Sequence, residues 1–573
     1  MGPSGRRTSA LKESLHASPD GRRISAHPED EGESVSASHR RLREHPAHKS
    51  HAALDTHKAS TGVIWTTEQA QKHGFSDEPE KWANLGQGAP EVGDIDGCFP
   101  RPKSIPLNDN SGEYGPTAGI KSLRTAVANL YNHDYRQGKE SQYTWENVCI
   151  VPGGRAGLIR IAAVLGNAYL AYFTPDYSVY EQASISMLGL FRSFVAIPTP
   201  LSAADGYHVH ADKIREELAR GTSVILTSNP RNPTGHALHP EELSLIQDIC
   251  RDKATLIFDE FYSGYRYDTD CDGSTISAAS NVIDVDRDDV LLIDGLTKRF
   301  RLPGWRVAWI VGPKDFIKAL SSSGSYLDGG CNVPFQEAAV SMLEPALVRK
   351  EMAALQSHFK AKRDYVLKRL GEIGFRLGDQ EIPESTFYIW LSLEKLEPPL
   401  PKNSPIDISN GLAFFDALLK EKTIVVPGIF FDLNPAKRRD LFDSPCHHFV
   451  RISYGPTMER LQMGLDGIER VVKRARGEFG HSDSAVDDEP DQKSNQRPVQ
   501  SSKSQANSGI TVKGNATSKD DIRDDQMKHN RHITDDTRGS SDDTFKVTGS
   551  GPIRPIMASS TPYRRFTLDS DLP

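Results

Sequence analysis

The chain is short of three things. Its six cysteines, Cys98, Cys149, Cys250, Cys271, Cys331 and Cys446, are scattered and form no Cys-x-x-Cys pair. That excludes a disulfide scaffold and a zinc ribbon, and fits reduced thiols inside a cell. No apolar run approaches the roughly 20 residues that a bilayer span requires; the best stretch, 161–173, is interrupted by Asn167. Basic excess is missing as well, because 69 Lys and Arg stand against 77 Asp and Glu, a net charge of −8. A nucleic-acid surface needs a basic footprint. Neither nucleic acid nor membrane is therefore expected as a partner. Met1 to Arg7 leads into Ser, Asp, His and Arg rather than the apolar core of a signal peptide, so the expected location is cytoplasmic.

Hydropathy is low too, at a mean of −0.50, and composition shows where. Residues 1–57 are rich in His, Arg, Ser, Glu and Pro, and 480–573 carry polar runs such as Lys519-Asp520-Asp521. Such segments cannot bury a core, so both ends are expected to be disordered tails. Between them the sequence predicts a 58–110 segment contributing to a small domain, a large domain over 111–340 and a C-terminal small domain over 341–479. His208-x-His210 and His447-His448 lack Cys or acidic partners at metal-site spacing, and no metal is expected. The sequon Asn515-Ala516-Thr517 falls in the C-terminal tail.

Within the body, β-rich runs at 148–151, 223–227, 255–259 and 290–294 alternate with helical periodicity, as at 157–165 and 241–249. This predicts an α/β fold whose large domain has a mostly parallel central sheet flanked by helices. Ligands of such sheets bind beyond the carboxyl ends of the strands. The residues just after each run therefore carry the functional information.

After 223–227 comes Ser228-Asn229-Pro230-Arg231-Asn232-Pro233-Thr234-Gly235, which read alone is a stiff turn. The run 255–259 ends in Asp259-Glu260-Phe261-Tyr262, and 290–294 leads into Gly295-Leu296-Thr297-Lys298 and then Pro303-Gly304-Trp305-Arg306. A lone loop lysine is ordinarily a solvated surface group. The three motifs in this order resemble the class I/II aminotransferase family of fold-type I pyridoxal-phosphate enzymes. The resemblance covers about 80–470.

The resemblance implies pyridoxal 5′-phosphate as cofactor, an amino acid and a 2-oxo acid as substrates, and a homodimer. It also implies a smaller α+β domain built from the N-terminal segment and the C-terminal part. By it, Lys298 forms the Schiff base and moves the α-proton, which requires a lowered pKa. Asp259 pairs with the ring nitrogen, while Asn232 and Tyr262 bond the phenolic oxygen. Gly153, Gly154 and Arg155 open a helix whose first amides can hold the phosphate. Thr297 and Arg306 join that set, and Tyr114 reaches the phosphate of the partner subunit. Tyr177 stacks on the ring, Gly88 lies near the substrate, and Arg451 clamps the substrate carboxylate.

Two departures are evident. Gly295 stands where many relatives carry a phosphate-binding serine, and Arg155 where a smaller side chain is common. The neutral stretch Gly329-Gly330-Cys331-Asn332 disfavours a dicarboxylate donor, and Phe430, Phe431 and Tyr326 suggest a neutral amino acid. The leading reading is an aminotransferase working through a pyridoxamine intermediate. A lyase of the same fold, acting on carbon–sulfur bonds or forming aminocyclopropane carboxylate, begins from the same carbanion. A catalytically silent relative is the third reading; such proteins typically lose the lysine or the aspartate, and both are present.

Overall fold

The computed structural model describes residues 62–166, 168–180, 195–201, 203–433 and 443–478. The expectations for both tails, and for the sequon, lie outside the described residues.

Seven strands build the central sheet: β2 (Val148–Val151), β3 (Tyr169–Thr174), β4 (Val195–Pro200), β5 (Val224–Ser228), β6 (Thr255–Asp259), β7 (Val290–Gly295) and β8 (Ala308–Val311), in the order β2-β8-β7-β6-β5-β3-β4. All neighbours pair in parallel except at β8, which runs antiparallel to both β2 and β7. The expected mostly parallel α/β sheet is what the chain forms. Every residue of β5, β6 and β7 is buried. Sheets covered on both faces require such continuous apolar strands, here Val224-Ile225-Leu226, Leu256-Ile257-Phe258 and Leu291-Leu292-Ile293.

Turn chemistry sets the edges of these units. The helix Gly154–Leu165 starts straight after β2, with Gly153 as its N-cap at φ 94, a conformation that side chains with a Cβ rarely adopt. The helix Pro240–Cys250 opens with proline in its first turn, and the Glu242 side chain accepts from the His239 amide. The run 161–173 resolves into the end of one helix and strand β3, separated at Gly166.

A second, smaller sheet carries Tyr388 and Arg451. β9 (Tyr388–Ser392), β11 (Val426–Pro427) and β12 (Phe449–Ser453) form an antiparallel sheet in the order β11-β12-β9. β1 (Ala83–Asn84) pairs in parallel with β10 (Thr423–Ile424), so the N-terminal segment is tied to C-terminal sequence. The helix Pro345–Ile373 carries proline in its first turn, a Glu344 cap accepting from the Leu347 amide, and Gly374 at φ 118 as its stop. Among the described residues no helix is long and apolar enough to cross a membrane.

Candidate active site

The carboxyl ends of β5, β6 and β7 and the interior of β12 converge on a cavity of about 410 Å³. Gly88, Gly154, Arg155, Tyr177, Asn232, Asp259, Tyr262, Thr297, Lys298, Arg306 and Arg451 all line it. The sequence places these residues far apart, and the fold brings them to one volume.

Asp259 is the last residue of β6 and is 6% exposed. Its Oδ2 accepts from the Tyr180 hydroxyl at 2.9 Å. Burial pushes its pKa up to about 7, with the Tyr180 hydrogen bond acting in the opposite sense. Lys298 follows β7, and its Nζ donates to the Gly88 carbonyl. Burial lowers its pKa to about 7, helped by the positive charges of Arg451 and Arg155 and opposed by Asp259. The Lys298 carbonyl is anchored by the Tyr265 hydroxyl at 2.8 Å, so the lysine loop is fixed from behind. An amine and a carboxyl that both titrate near pH 7 therefore face one cavity.

Arg451 comes from β12, opposite Trp390 of β9 and Val426 of β11. It is 1% exposed and donates to Asn232 Oδ1 at 2.9 Å and to the Gly86 carbonyl at 2.7 Å. Its guanidinium lies 4.2 Å from the centre of the Tyr388 ring. The Tyr388 hydroxyl in turn shares a 2.7 Å hydrogen bond with that of Tyr262. Gly88 completes this corner: a Cβ there would come within 2.9 Å of the Tyr388 hydroxyl.

The opposite end suits an anion. The first-turn amides of the helix Gly154–Leu165 have no intrahelical acceptor, and the helix dipole adds positive potential. Arg306 folds over this turn, donating to the Pro303 carbonyl at 3.0 Å. A Cβ on Gly153 would sit 1.9 Å from its Nη2, and one on Gly154 would strike the Phe261 ring at 2.4 Å. Arg155 Nη2 donates to the Tyr177 hydroxyl at 3.3 Å. Donors for a phosphate at one end, a carboxyl at β6 and a low-pKa amine between them fit pyridoxal phosphate. The missing serine also has a physical reason. A Cβ on Gly295 would lie 2.6 Å from Ala308 Cα, so the β7–β8 pairing leaves no room for one.

Tyr114, expected to reach the phosphate of a partner subunit, is 97% exposed and does not line its own chain's cavity. Other expectations land elsewhere. Tyr326 is 69% exposed on the helix Lys314–Leu327 and is no part of the lining. Phe431 packs on Arg451 from outside the cavity, 4.9 Å from ring centre to guanidinium, and Phe430 packs against Trp65. Gly330 lies against Pro116 and Thr117, beside the Tyr114 loop, and the stretch 329–332 does not line this chain's own cavity.

Sequence reasoning missed Val63, Ser228 and Tyr388, which line the cavity, and Tyr180, which bonds Asp259. Tyr180 carried a faint signal, lying one helical turn beyond Tyr177. Val63 carried none. It belongs to the helix Gly62–Gln71, ahead of every recognisable motif.

Comparison with known proteins agrees with this geometry. Residues 80–468 match the family model for aminotransferase class I and II. The probable aspartate/prephenate aminotransferase of Aquifex aeolicus is 25% identical over 369 residues, which cover 64% of this chain and 84% of that protein. The bifunctional aspartate aminotransferase and glutamate/aspartate-prephenate aminotransferase of Petunia hybrida is 26% identical, covering 64% and 71% respectively. A solved structure of a Thermus thermophilus aspartate aminotransferase double mutant superposes with a TM-score of 0.58 at 20% identity, covering 72% of this chain and 97% of the other. The chain belongs to the class I and II aminotransferase family and is a pyridoxal-phosphate-dependent aminotransferase.

Proposed function

We propose that this enzyme transfers the amino group of a neutral amino acid to a 2-oxo acid, with Lys298 as the proton-moving base. The observation that carries the reading is the meeting of Lys298, Asp259, Asn232, Tyr262 and Arg451 in one cavity. Pyridoxal phosphate, when bound, supplies an electron sink for the pair left on the substrate α-carbon. Lys298 Nζ, in the unprotonated form that a pKa lowered to about 7 makes accessible, takes the α-proton and later returns one. Asp259 holds a proton at the ring nitrogen, and Asn232 and Tyr262 orient the ring through its phenolic oxygen. Tyr177 covers one ring face. Arg306, Thr297, Arg155 and the amides after Gly153 and Gly154 hold the phosphate.

Arg451 clamps the substrate carboxylate, which fixes the α-carbon within reach of Lys298. Gly88 leaves room for that carboxylate beside Tyr388. Away from the phosphate end, Val63 and Tyr388 give the cavity apolar walls, which favour an uncharged substrate side chain. The active unit is a homodimer in which Tyr114, exposed and outside its own cavity, completes the phosphate site of a second copy. The scattered thiols support a cytoplasmic location.

The test is a panel of amino donors against one oxo acid. Neutral donors are expected to give the highest kcat/KM. Preference for aspartate or glutamate, the amino donors of the relatives' names, would overturn the neutral assignment while leaving the proton chemistry intact. Continuing release of ammonia or thiol without an oxo acid would overturn transamination itself.

A further inference from the structure

Behind the cavity lies a buried ion pair that the chemistry above does not use. Asp176, two residues past β3, is fully buried, and Arg231, three past β5, is 3% exposed. Arg231 Nε stands 3.8 Å from Asp176 Oδ2. Asp176 also gathers the groups around it. Its Oδ1 accepts from Ser228 Oγ at 2.5 Å and from the Tyr177 amide at 2.8 Å, and its Oδ2 accepts from Thr227 Oγ1 at 3.3 Å. Ser228 Oγ then accepts from the Asn232 amide at 3.2 Å. Arg231 is fixed by the Thr227 hydroxyl and the Tyr207 carbonyl, at 3.1 and 3.2 Å, and its guanidinium lies 5.1 Å from the centre of the Phe173 ring.

We propose that Asp176 and Arg231 are a positioning pair that locks the loop bearing Tyr177 to the loop bearing Asn232, and so fixes both walls of the cofactor site. The inference rests on the site roles proposed above. Its logic is electrostatic and geometric. One carboxylate receives hydrogen bonds from both loops, and a buried carboxylate persists only beside a buried cation. Removing either charge leaves its partner uncompensated and frees the loops to move apart. Asn232 then shifts relative to Arg451, to which it is bonded, and Tyr177 relative to the opposite wall. A displacement of about 1 Å at such a site can cost 10²-fold in rate.

The experiment compares wild type, Asp176→Asn, Arg231→Met and the double variant by four measurements. These are thermal midpoint without cofactor, cofactor dissociation constant, the pH midpoint of the bound cofactor's visible band, and kcat and KM. Each single variant is expected to melt earlier, to bind cofactor roughly tenfold more weakly and to have a displaced pH midpoint. The double variant regains thermal stability, since no charge is left unpaired, but keeps the weak binding and the displaced midpoint. Wild-type binding and titration in the double variant would overturn the inference and reduce the pair to a structural one. Ser228→Ala provides a second route. It keeps both charges and cuts the link from Asp176 to the Asn232 amide, along with the Ser228 contacts to the cavity and to Tyr180, and it is expected to displace the midpoint by less, in the same direction. No displacement there would also overturn the inference. Wild-type protein that takes up pyridoxal phosphate without a visible band would instead sink the site assignment on which the inference stands.

Discussion

Lys298 and Arg299 are neighbours in sequence, yet they enter opposite electrostatic worlds. Arg299 turns away from the cavity and donates to Asp294 Oδ2 at 2.9 Å, with both side chains 1% exposed. Burial opposes its charge, but Asp294 more than compensates and its pKa is raised. Lys298 turns into the cavity, where it meets a backbone carbonyl and two arginines. Its pKa falls to about 7. Asp259, the last residue of β6, and Asp294, the last but one of β7, differ in partner, a tyrosine hydroxyl against a guanidinium, yet burial raises both, Asp259 to about 7 and Asp294 to about 6. The contrast teaches that burial alone does not make a working group. A buried cation with a matched carboxylate keeps its charge, whereas one left short of a partner titrates where chemistry needs it.

The sharpest way to break this comparison is to remove each amine or carboxyl in turn. Lys298→Ala is expected to lower kcat/KM by roughly 10²–10⁴-fold or more. It is also expected to abolish both the visible absorption of the bound cofactor and its fixation by borohydride. Unchanged colour would refute the role of Lys298. Asp294→Asn is expected to act on the other axis. It leaves Arg299 buried and unpaired, which costs about 3–5 kcal/mol of stability. The pH profile of the protein that stays folded should move only slightly, its Asp259 limb toward lower pH, because Asp294 adds a small upward push to Asp259. A shift as large as that from altering Asp259 itself would mean that the two carboxyls titrate as one unit.

How much of this was legible in the sequence depends on where each residue sits along the chain. Asn232, Asp259 and Lys298 each follow a buried parallel strand, and such strands announce themselves as short apolar runs. Strands β6 and β2 fall on the runs read for them, while β5 begins one residue later than its run. Strand β3 was not separable, because its apolar residues continue those of the preceding helix across Gly166. Tyr388 and Val63 lie 90 and 235 residues from Lys298, and no local spacing connects either to it. The aromatic residues Tyr326, Phe430 and Phe431 were misleading for the converse reason. Apolar character marks packing as readily as it marks a ligand wall.

The smallest effect sharpens the comparison most, since it uses no substrate. Without cofactor, Lys298 binds fewer protons folded than unfolded between pH about 7 and its ordinary value of 10.5. Stability contributed by this group therefore rises with pH across that window. Asp259 has the opposite limb. Its pKa is raised from 3.8 to about 7, so the folded state binds more protons there and stability falls as pH rises through that range. Together they place a stability minimum near neutrality for this pair of groups. Lys298→Met is expected to stabilise the cofactor-free protein at pH 7 by on the order of 2 kcal/mol, and the gain should shrink as the pH approaches 10. Asp259→Asn should give a gain at pH 7 that vanishes toward pH 4. Urea unfolding midpoints across pH 4–10, taken as differences from wild type, separate the two limbs. Arg299, already matched by Asp294, offers no such gain: Arg299→Met should destabilise at neutral and higher pH, where Asp294 would be left a buried, unpaired carboxylate, and less toward pH 4, where Asp294 is protonated. A stabilising result above neutrality would mean that the pair is no lock at all.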